Sequence, residues 1–209
     1  MMQGWAATVN EICIYIIKIA YLNVLWIIFT VIGLLIFGFV PSTIAMFTVV
    51  RKIIQKADIK MTRLFWETYK TEFIKGNIIG FLLLITGFII GADIVFLYHQ
   101  SGLIANLFLY ALIVLMFIYM IVLINFFPVY VHYDLKLFAY LKQALFIGVL
   151  RFWVSVVMVI ALLAVWIIMY FFPGLAVFFL GSFSGYIVMF VAYRNFTYLE
   201  MKVLENKGS

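Results

Sequence analysis

The stretch that decides the fold runs from residue 14 to residue 57 and reads IYIIKIAYLNVLWIIFTVIGLLIFGFVPSTIAMFTVVRKIIQKA. Between Lys18 and Arg51 it contains no charged residue, and a membrane helix needs only about 20 consecutive apolar residues. Pro41 lacks a backbone N–H, which suits a turn or the first turn of a new helix. We therefore predict two membrane helices, 14–39 and 42–57, separated by a turn at 38–42.

The rest of the chain has the same character. Of its 209 residues, 68% are hydrophobic and 11% are charged, whereas a soluble domain has about 25% charged residues. So few polar groups cannot cover a water-facing surface, which excludes a soluble enzyme, a secreted disulfide scaffold and a nucleic-acid binder. We expect one all-α membrane domain, 1–209, embedded in a lipid bilayer as a bundle of six transmembrane helices. The remaining predicted spans are 77–97, 104–128, 152–172 and 174–194.

The chain has a net charge of +6, and its basic residues lie on one side of the predicted bundle. The predicted turns at 38–42, 98–103 and 172–174 contain no Lys or Arg. Cytoplasmic loops are enriched in these residues, which places both termini in the cytoplasm. The span 42–57 is short, about 24 Å at 1.5 Å per residue. If it did not cross, five crossings would remain and the N-terminus would lie outside.

Two loops on the basic side are predicted to form amphipathic interfacial helices, at about 59–75 and 131–148. In the first, Met61, Phe65 and Tyr69 recur every four residues among charged side chains. Such a basic and aromatic helix suits the membrane interface, where it contacts lipid headgroups or a partner protein. The candidate contact residues are Arg51, Lys52, Lys60, Arg63, Trp66, Lys70 and Lys75.

Polar residues within the predicted spans are few. Asp93 lies near the outer end of the third span, where it either takes part in cation or proton chemistry or is simply wetted at the rim. Asparagine amides in spans either line a vestibule or hydrogen-bond neighbouring helices. The candidate intramembrane polar residues are Asp93, Asn23, Asn77, Asn106 and Asn125.

Glycine pairs four residues apart let two helix backbones approach closely. Three such pairs occur, and two of them follow one another along the third span. We expect them to form packed faces, either within the bundle or toward a partner. They are Gly76 and Gly80, Gly87 and Gly91, and Gly181 and Gly185.

Catalytic material is sparse. The chain has two histidines, one cysteine and eight carboxylates, and their spacing does not match that of metal ligands. The sequence also contains no phosphate-binding glycine loop. We therefore expect no enzymatic activity, no metal and no cofactor.

Two segments carry a resemblance to a known family. The first is Asn23-Val-Leu-Trp26, continuing through Gly33 and Gly38 into Pro41-Ser42-Thr43-Ile-Ala45-Met-Phe47 and Val50-Arg51-Lys52. The second is Leu64-Phe65-Trp66 with Tyr69-Lys70, Phe73 and Asn77-Ile-Ile-Gly80. Together they resemble the YesL-like family of small multi-pass bacterial membrane proteins, a domain of unknown function. Ser42 stands where the family's pattern leads us to expect alanine.

This resemblance implies a bacterial cell membrane and genes that neighbour oligosaccharide uptake systems, including carbohydrate ABC importers. It implies no catalytic residue. The segments 51–76 and 129–151 lack the ATPase-docking motif of an importer permease. An accessory membrane subunit of a carbohydrate uptake system is therefore our leading hypothesis. The alternatives are a self-sufficient small transporter or channel with a polar path near Asp93, and a regulatory membrane scaffold.

Overall fold

The computed structural model describes the backbone of residues 2–208 and the side chains of residues 8–202. Lys207, a basic residue after the last predicted span, lies outside the described side chains. Every regular element in the described range is an α-helix. The helices are α1 (Met2–Ile32), α2 (Ile36–Ile54), α3 (Met61–Tyr98), α4 (Leu103–His132), α5 (Leu137–Leu150), α6 (Phe152–Phe171) and α7 (Pro173–Gly208).

Six of these helices, all except α5, are long and apolar enough to cross a membrane. The predicted fold class, an all-α bundle with six membrane helices, is confirmed. Large apolar side chains are exposed along the outside of the bundle, as expected for a protein whose surface faces lipid rather than water.

The core forms around α2. This helix contacts α1, α3, α4 and α7, and every residue from Pro41 to Phe47 is buried. It has 19 residues, about 28 Å at 1.5 Å per residue, and it is shorter than α1, α3, α4 and α7. Because α2 is surrounded by protein, its small residues and hydroxyls determine how closely the other helices approach.

The predicted turn at 38–42 is wrong: α1 ends at Ile32 and α2 begins at Ile36. Pro41 lies inside α2. The turn forms earlier because Gly33 and Gly38 allow the two helices to touch there. A Cβ on Gly38 would overlap the carbonyl oxygen of Thr30, and one on Gly33 would overlap the Cα of Gly38.

The predicted separation of an interfacial helix at 59–75 from a span at 77–97 is also wrong. Both belong to α3, one continuous helix of 38 residues. A single glycine does not end a helix, because each further helical residue adds a backbone hydrogen bond. Gly76 itself packs on Ile44 of α2. The second predicted interfacial helix, 131–148, is shifted: α4 extends through Pro128 to His132, and α5 begins at Leu137.

The two ends of the bundle differ in charge. The connections 55–60 and 133–136 contain Lys56, Lys60 and Lys136, and we call this side the basic end. The connections 33–35, 99–102 and residue 172 contain no Lys or Arg, and we call this side the bare end. The one-sided charge pattern therefore persists with the corrected helix boundaries.

We predict that Gly38→Ala destabilises the protein by about 1–3 kcal/mol, because the added methyl group must displace the α1 backbone. Gly91→Ala is the matched control, since the nearest side-chain atom to a Cβ there is Met116 Cε at 4.0 Å. Alanine favours a helix over glycine by up to about 1 kcal/mol, so this control should be neutral or stabilising. Unfolding by denaturant in detergent micelles measures both; equal losses of stability would contradict the close α1–α2 contact.

Candidate functional site: polar contacts and the basic end

Asn23 joins α1 to α7. Its Nδ2 donates to the carbonyl oxygen of Val177 at 2.7 Å, and its Oδ1 accepts from the backbone N–H of Ser182 at 2.9 Å. The hydroxyl of Ser182 returns a bond to the carbonyl oxygen of Ile19 at 2.8 Å. Asn23 is 1% exposed, so its amide serves the contact between two helices.

Hydroxyl groups join α1 to α2, a contact that the sequence analysis did not predict. The Thr30 and Ser42 hydroxyls lie 2.6 Å apart, and Trp26 Nε1 donates to Thr43 Oγ1 at 3.1 Å. The signal available in the sequence was the run of hydroxyl residues beside Pro41. Serine and threonine in membrane helices usually bond their own backbone, which hides their additional role between helices.

Asn77 compensates for the proline in α2. In a regular helix the N–H of residue 41 would bond the carbonyl oxygen of Phe37, but proline has no N–H. Asn77 Nδ2 donates to that oxygen from α3 at 2.9 Å. The same nitrogen also bonds Phe73 O at 2.7 Å within α3. A single amide thus satisfies the carbonyl that Pro41 leaves without its helical donor and links α2 to α3.

Asn125 joins α4 to α6. Its Nδ2 donates to the Ser155 hydroxyl at 2.8 Å and to Ile121 O at 2.9 Å. The backbone of Gly148 in α5 passes close by, since a Cβ there would lie 3.0 Å from Asn125 Nδ2. Asn125 is buried and bonds α4 to α6 beside the backbone of α5.

Asp93 and Asn106 do not join these contacts. Both are exposed, on the half of α3 and α4 nearest the bare end. His99, the residue after α3, places Nδ1 2.8 Å from Val95 O of that helix. The five candidate polar residues are therefore not gathered at one site.

The glycines of the three pairs mostly face neighbouring helices of the same chain. A Cβ on Gly181 would lie 2.9 Å from the Trp26 ring, and one on Gly87 would lie 2.7 Å from Tyr119 Oη. That Tyr119 hydroxyl donates to Leu83 O of α3 at 2.7 Å. The remaining neighbours are Ile44 for Gly76, Val40 for Gly80, Met46 for Gly185 and, at 4.0 Å, Met116 for Gly91.

At the basic end, Arg51 lies in the last turn of α2 and caps α4. Its Nη1 donates to Val131 O at 2.6 Å, a carbonyl in the last turn of α4 that has no intrahelical donor. A cation at this end of a helix also interacts favourably with its dipole. Lys52 beside it is half-buried. Arg51 is thus a structural contact, whereas the exposed lysines nearby are free for other partners.

The first turns of α3 present a basic and aromatic surface, which we call the α3 basic face and define as Lys60, Arg63, Trp66, Lys70 and Lys75. Lys70 Nζ lies 4.9 Å from the centre of the Trp66 ring, within range of a cation–π interaction. Arg63 Nε donates to Glu67 Oε1 at 2.7 Å, one turn along the helix. All five members are exposed, so the face is open to lipid headgroups or to a protein.

Further polar contacts at the basic end involve residues that the sequence did not single out. Tyr130 Oη donates to Glu72 Oε2 at 2.5 Å, and His132 Nε2 lies 2.9 Å from Glu200 Oε1. Burial, and then the charge of Glu200, raise the pKa of the nearby Tyr133 hydroxyl. These pairs link α4 to α3 and to α7, and no short sequence motif announces them because their members are far apart in the chain.

Arg151, at the junction of α5 and α6, contacts α7. Its Nε donates to Asn195 Oδ1 at 2.9 Å, and its guanidinium lies 4.5 Å from the centre of the Tyr198 ring. Asn195 is buried. These contacts join the α5–α6 junction to α7.

An apolar cavity of about 520 Å³ lies between α1, α2, α4, α6 and α7. Its walls include Trp26, Phe47, Phe127 and Trp166. Ser184 also lines it, and its hydroxyl oxygen is buried without a hydrogen-bond partner among the described residues. A sugar requires many hydrogen bonds, and this lining does not supply them. Across the part of the chain whose side chains are described, no three His, Cys, Asp or Glu residues group as metal ligands.

Comparison with known proteins assigns this chain to a family. The model of a family described as "Protein of unknown function, DUF624" matches residues 19–94. The protein YteU of Bacillus subtilis (strain 168) is 34% identical over 192 residues, which cover 91% of this chain and 86% of YteU. The chain belongs to this family. The α1–α2 hydroxyl pairs and the Pro41–Asn77 contact lie inside the matched segment.

Two further Bacillus subtilis relatives extend over most of the chain. YesV is 37% identical over 189 residues, 88% of this chain and 89% of YesV. YesL is 28% identical over 211 residues, 100% of this chain and 99% of YesL. All three relatives are described as uncharacterized proteins, and no solved structure matches the chain. The resemblance to the YesL-like family is confirmed.

We predict that Asn23→Ala destabilises the DUF624 fold of this chain by about 1–2 kcal/mol, because it removes two bonds between helices. Asn106→Ala is the matched control: the same change at an exposed site should stay within about 0.5 kcal/mol. Unfolding in detergent measures both variants, and an equal effect of the two would contradict the structural role of Asn23.

We also predict that Asn77→Ala costs about 1–2 kcal/mol in the presence of Pro41, since a carbonyl loses its partner. In a Pro41→Ala background the alanine N–H can bond Phe37 O, so Asn77→Ala should cost less. A double-mutant cycle measures this coupling. Additive effects of the two substitutions would show that Asn77 does not compensate for the proline.

Proposed function

We propose that this chain is a non-enzymatic integral membrane protein that acts as an accessory subunit of a carbohydrate uptake system. The proposal places it in the bacterial cell membrane with its basic end and both termini in the cytoplasm, following the enrichment of Lys and Arg in cytoplasmic loops. The link to carbohydrate uptake rests on the resemblance to the YesL-like family.

One observation favours an accessory role over independent transport. The buried asparagines each bond another helix: Asn23 bonds α7, Asn125 bonds α6, and Asn195 accepts from Arg151. Side chains engaged in this way act as links between helices, whereas a transport pathway needs polar groups that face a cavity and exchange partners with a substrate.

The polar path suggested near Asp93 is not enclosed by other helices. Asp93 and Asn106 are exposed on the outside of the α3–α4 pair, and the 520 Å³ cavity is lined by other residues, most of them apolar. A sugar in that cavity would exchange its hydrogen bonds with water for contacts with aromatic and aliphatic groups, which is unfavourable. This argues against a self-sufficient sugar transporter.

The α3 basic face is the surface best suited to a partner. It combines exposed cations with Trp66, which is 42% exposed and has Lys70 above its ring. Tryptophan and arginine, of which this face has Trp66 and Arg63, are frequent anchors in protein interfaces. The face lies on a continuous helix whose Phe65 and Tyr69 are buried, so it is held rigidly relative to the bundle.

We predict that a tagged chain purified in mild detergent from cells that express the importer recovers the importer's membrane subunits. The variant Lys60→Gln/Lys70→Gln/Lys75→Gln should reduce that recovery about tenfold, because three exposed ion pairs at roughly 0.5 kcal/mol each sum to about 1.5 kcal/mol. Quantitative mass spectrometry of the purified material measures it.

The matched control is Lys136→Gln/Lys142→Gln/Lys202→Gln, which removes the same charge from other exposed lysines. It should leave recovery unchanged. Purification of the wild-type chain without importer subunits, from cells that contain them, would contradict the accessory role. Sugar flux through liposomes that contain only this chain would support the transporter alternative instead.

A further inference from the structure

The turn between α1 and α2 exposes large apolar side chains at the bare end. Leu34 is 78% exposed, Leu35 60% and Ile36 66%. Burying one such side chain away from water is worth about 1.5–3 kcal/mol. The connection between α3 and α4 is different, since it contains His99, Gln100 and Ser101. Of these two connections, the first has the composition of a lipid-facing segment and the second that of a water-facing one.

The backbone of the α1–α2 turn satisfies its own N–H groups. The N–H of Gly33 donates to Phe29 O at 3.1 Å, that of Leu34 to Val31 O at 2.9 Å, and that of Leu35 to Thr30 O at 2.9 Å. The N–H of Ile36 donates to Leu34 O at 2.8 Å. In hydrocarbon each unsatisfied backbone group costs several kcal/mol, so the four internal bonds of these N–H groups favour an apolar environment for the turn.

The residue types in the turn also favour an environment of hydrocarbon. Leu34 has φ +59° and Leu35 has φ +65°, a left-handed conformation that favours glycine or asparagine. The α3–α4 connection uses a glycine for its positive φ, Gly102 at +135°. Leucine at both positions of the α1–α2 turn strains the backbone. It also makes the surface of the turn entirely apolar.

The α1–α2 turn also lies partway along α3. Leu84 of α3 lines a groove of about 360 Å³ together with Leu35 and Ile36 of the turn. From Leu84, α3 continues to Tyr98, a further 14 residues or about 21 Å at 1.5 Å per residue. Along α3, the α1–α2 turn is therefore well short of the polar α3–α4 connection, and the hydrocarbon core is about 30 Å thick.

We propose that the α1–α2 turn ends inside the hydrocarbon of the bilayer, below the headgroups of the leaflet at the bare end, and that lipid acyl chains cover it. The same chains fill the groove beneath the turn, whose walls include Phe39, Val40 and Phe81. At the bare end, the α3–α4 connection reaches water. The α1–α2 pair is thus a hairpin that contacts lipid at its tip.

Cysteine accessibility tests this proposal on a Cys13→Ala background. Leu34→Cys and Ser101→Cys variants are reconstituted in liposomes and exposed on both faces, by freeze–thaw, to a membrane-impermeant maleimide. We expect Leu34→Cys to react at least about tenfold more slowly than Ser101→Cys, because a thiol in an apolar environment resists ionisation. Both should react fully after denaturation in SDS, and Ile36→Cys replaces Leu34→Cys if that variant does not fold.

Spin labels provide a second measurement at Leu34→Cys, at Leu84→Cys in the groove and at Ser101→Cys. At the first two positions, collisions with molecular oxygen, which concentrates in hydrocarbon, should exceed collisions with a water-soluble nickel chelate. At Ser101→Cys the order should be reversed. Labelling of Leu34→Cys at the rate of Ser101→Cys, or nickel collisions that dominate at Leu34→Cys, would overturn the proposal.

Discussion

The constraint on which this structure depends is that a polar group inside a bilayer must find its partner within the protein. Pro41 shows it most directly. The proline sits in the buried central helix and leaves the carbonyl of Phe37 without its helical donor, and Asn77 of α3 supplies that donor at 2.9 Å. The contact between α2 and α3 thus includes the repair of a defect in the α2 backbone.

The same constraint explains how the other polar residues are used. Asn23, Asn125 and the Thr30–Ser42 pair each connect two helices, and glycines at neighbouring positions let these helices approach closely enough to bond. A bundle held in this way has little polar capacity left in its interior for a substrate. Exposed cations and Trp66 lie at the basic end, and exposed leucines and phenylalanines lie at the bare end.

Much of the architecture could be predicted from composition and charge. The all-α bundle, its six membrane helices and the resemblance to the YesL-like family follow from long apolar segments and from recognisable segments near Pro41 and Asn77. The position of the first turn could not be predicted, because it depends on Gly33 meeting Gly38 across the hairpin. Pro41 does not end the helix here, because Asn77 of α3 replaces the hydrogen bond that the proline removes.

The sequence by itself determined that the chain belongs in a membrane and that its two ends differ in charge, because hydropathy and net charge depend on composition along the chain and not on contacts. Only the tertiary structure decided which polar residues meet. Asn23 and Ser182, or Arg151 and Asn195, lie far apart in sequence and become partners through the packing of α1, α6 and α7. Asp93 shares the third predicted span with Asn77, yet it is exposed, because the α1–α2 turn contacts α3 near Leu84 and that helix continues beyond the turn to Tyr98.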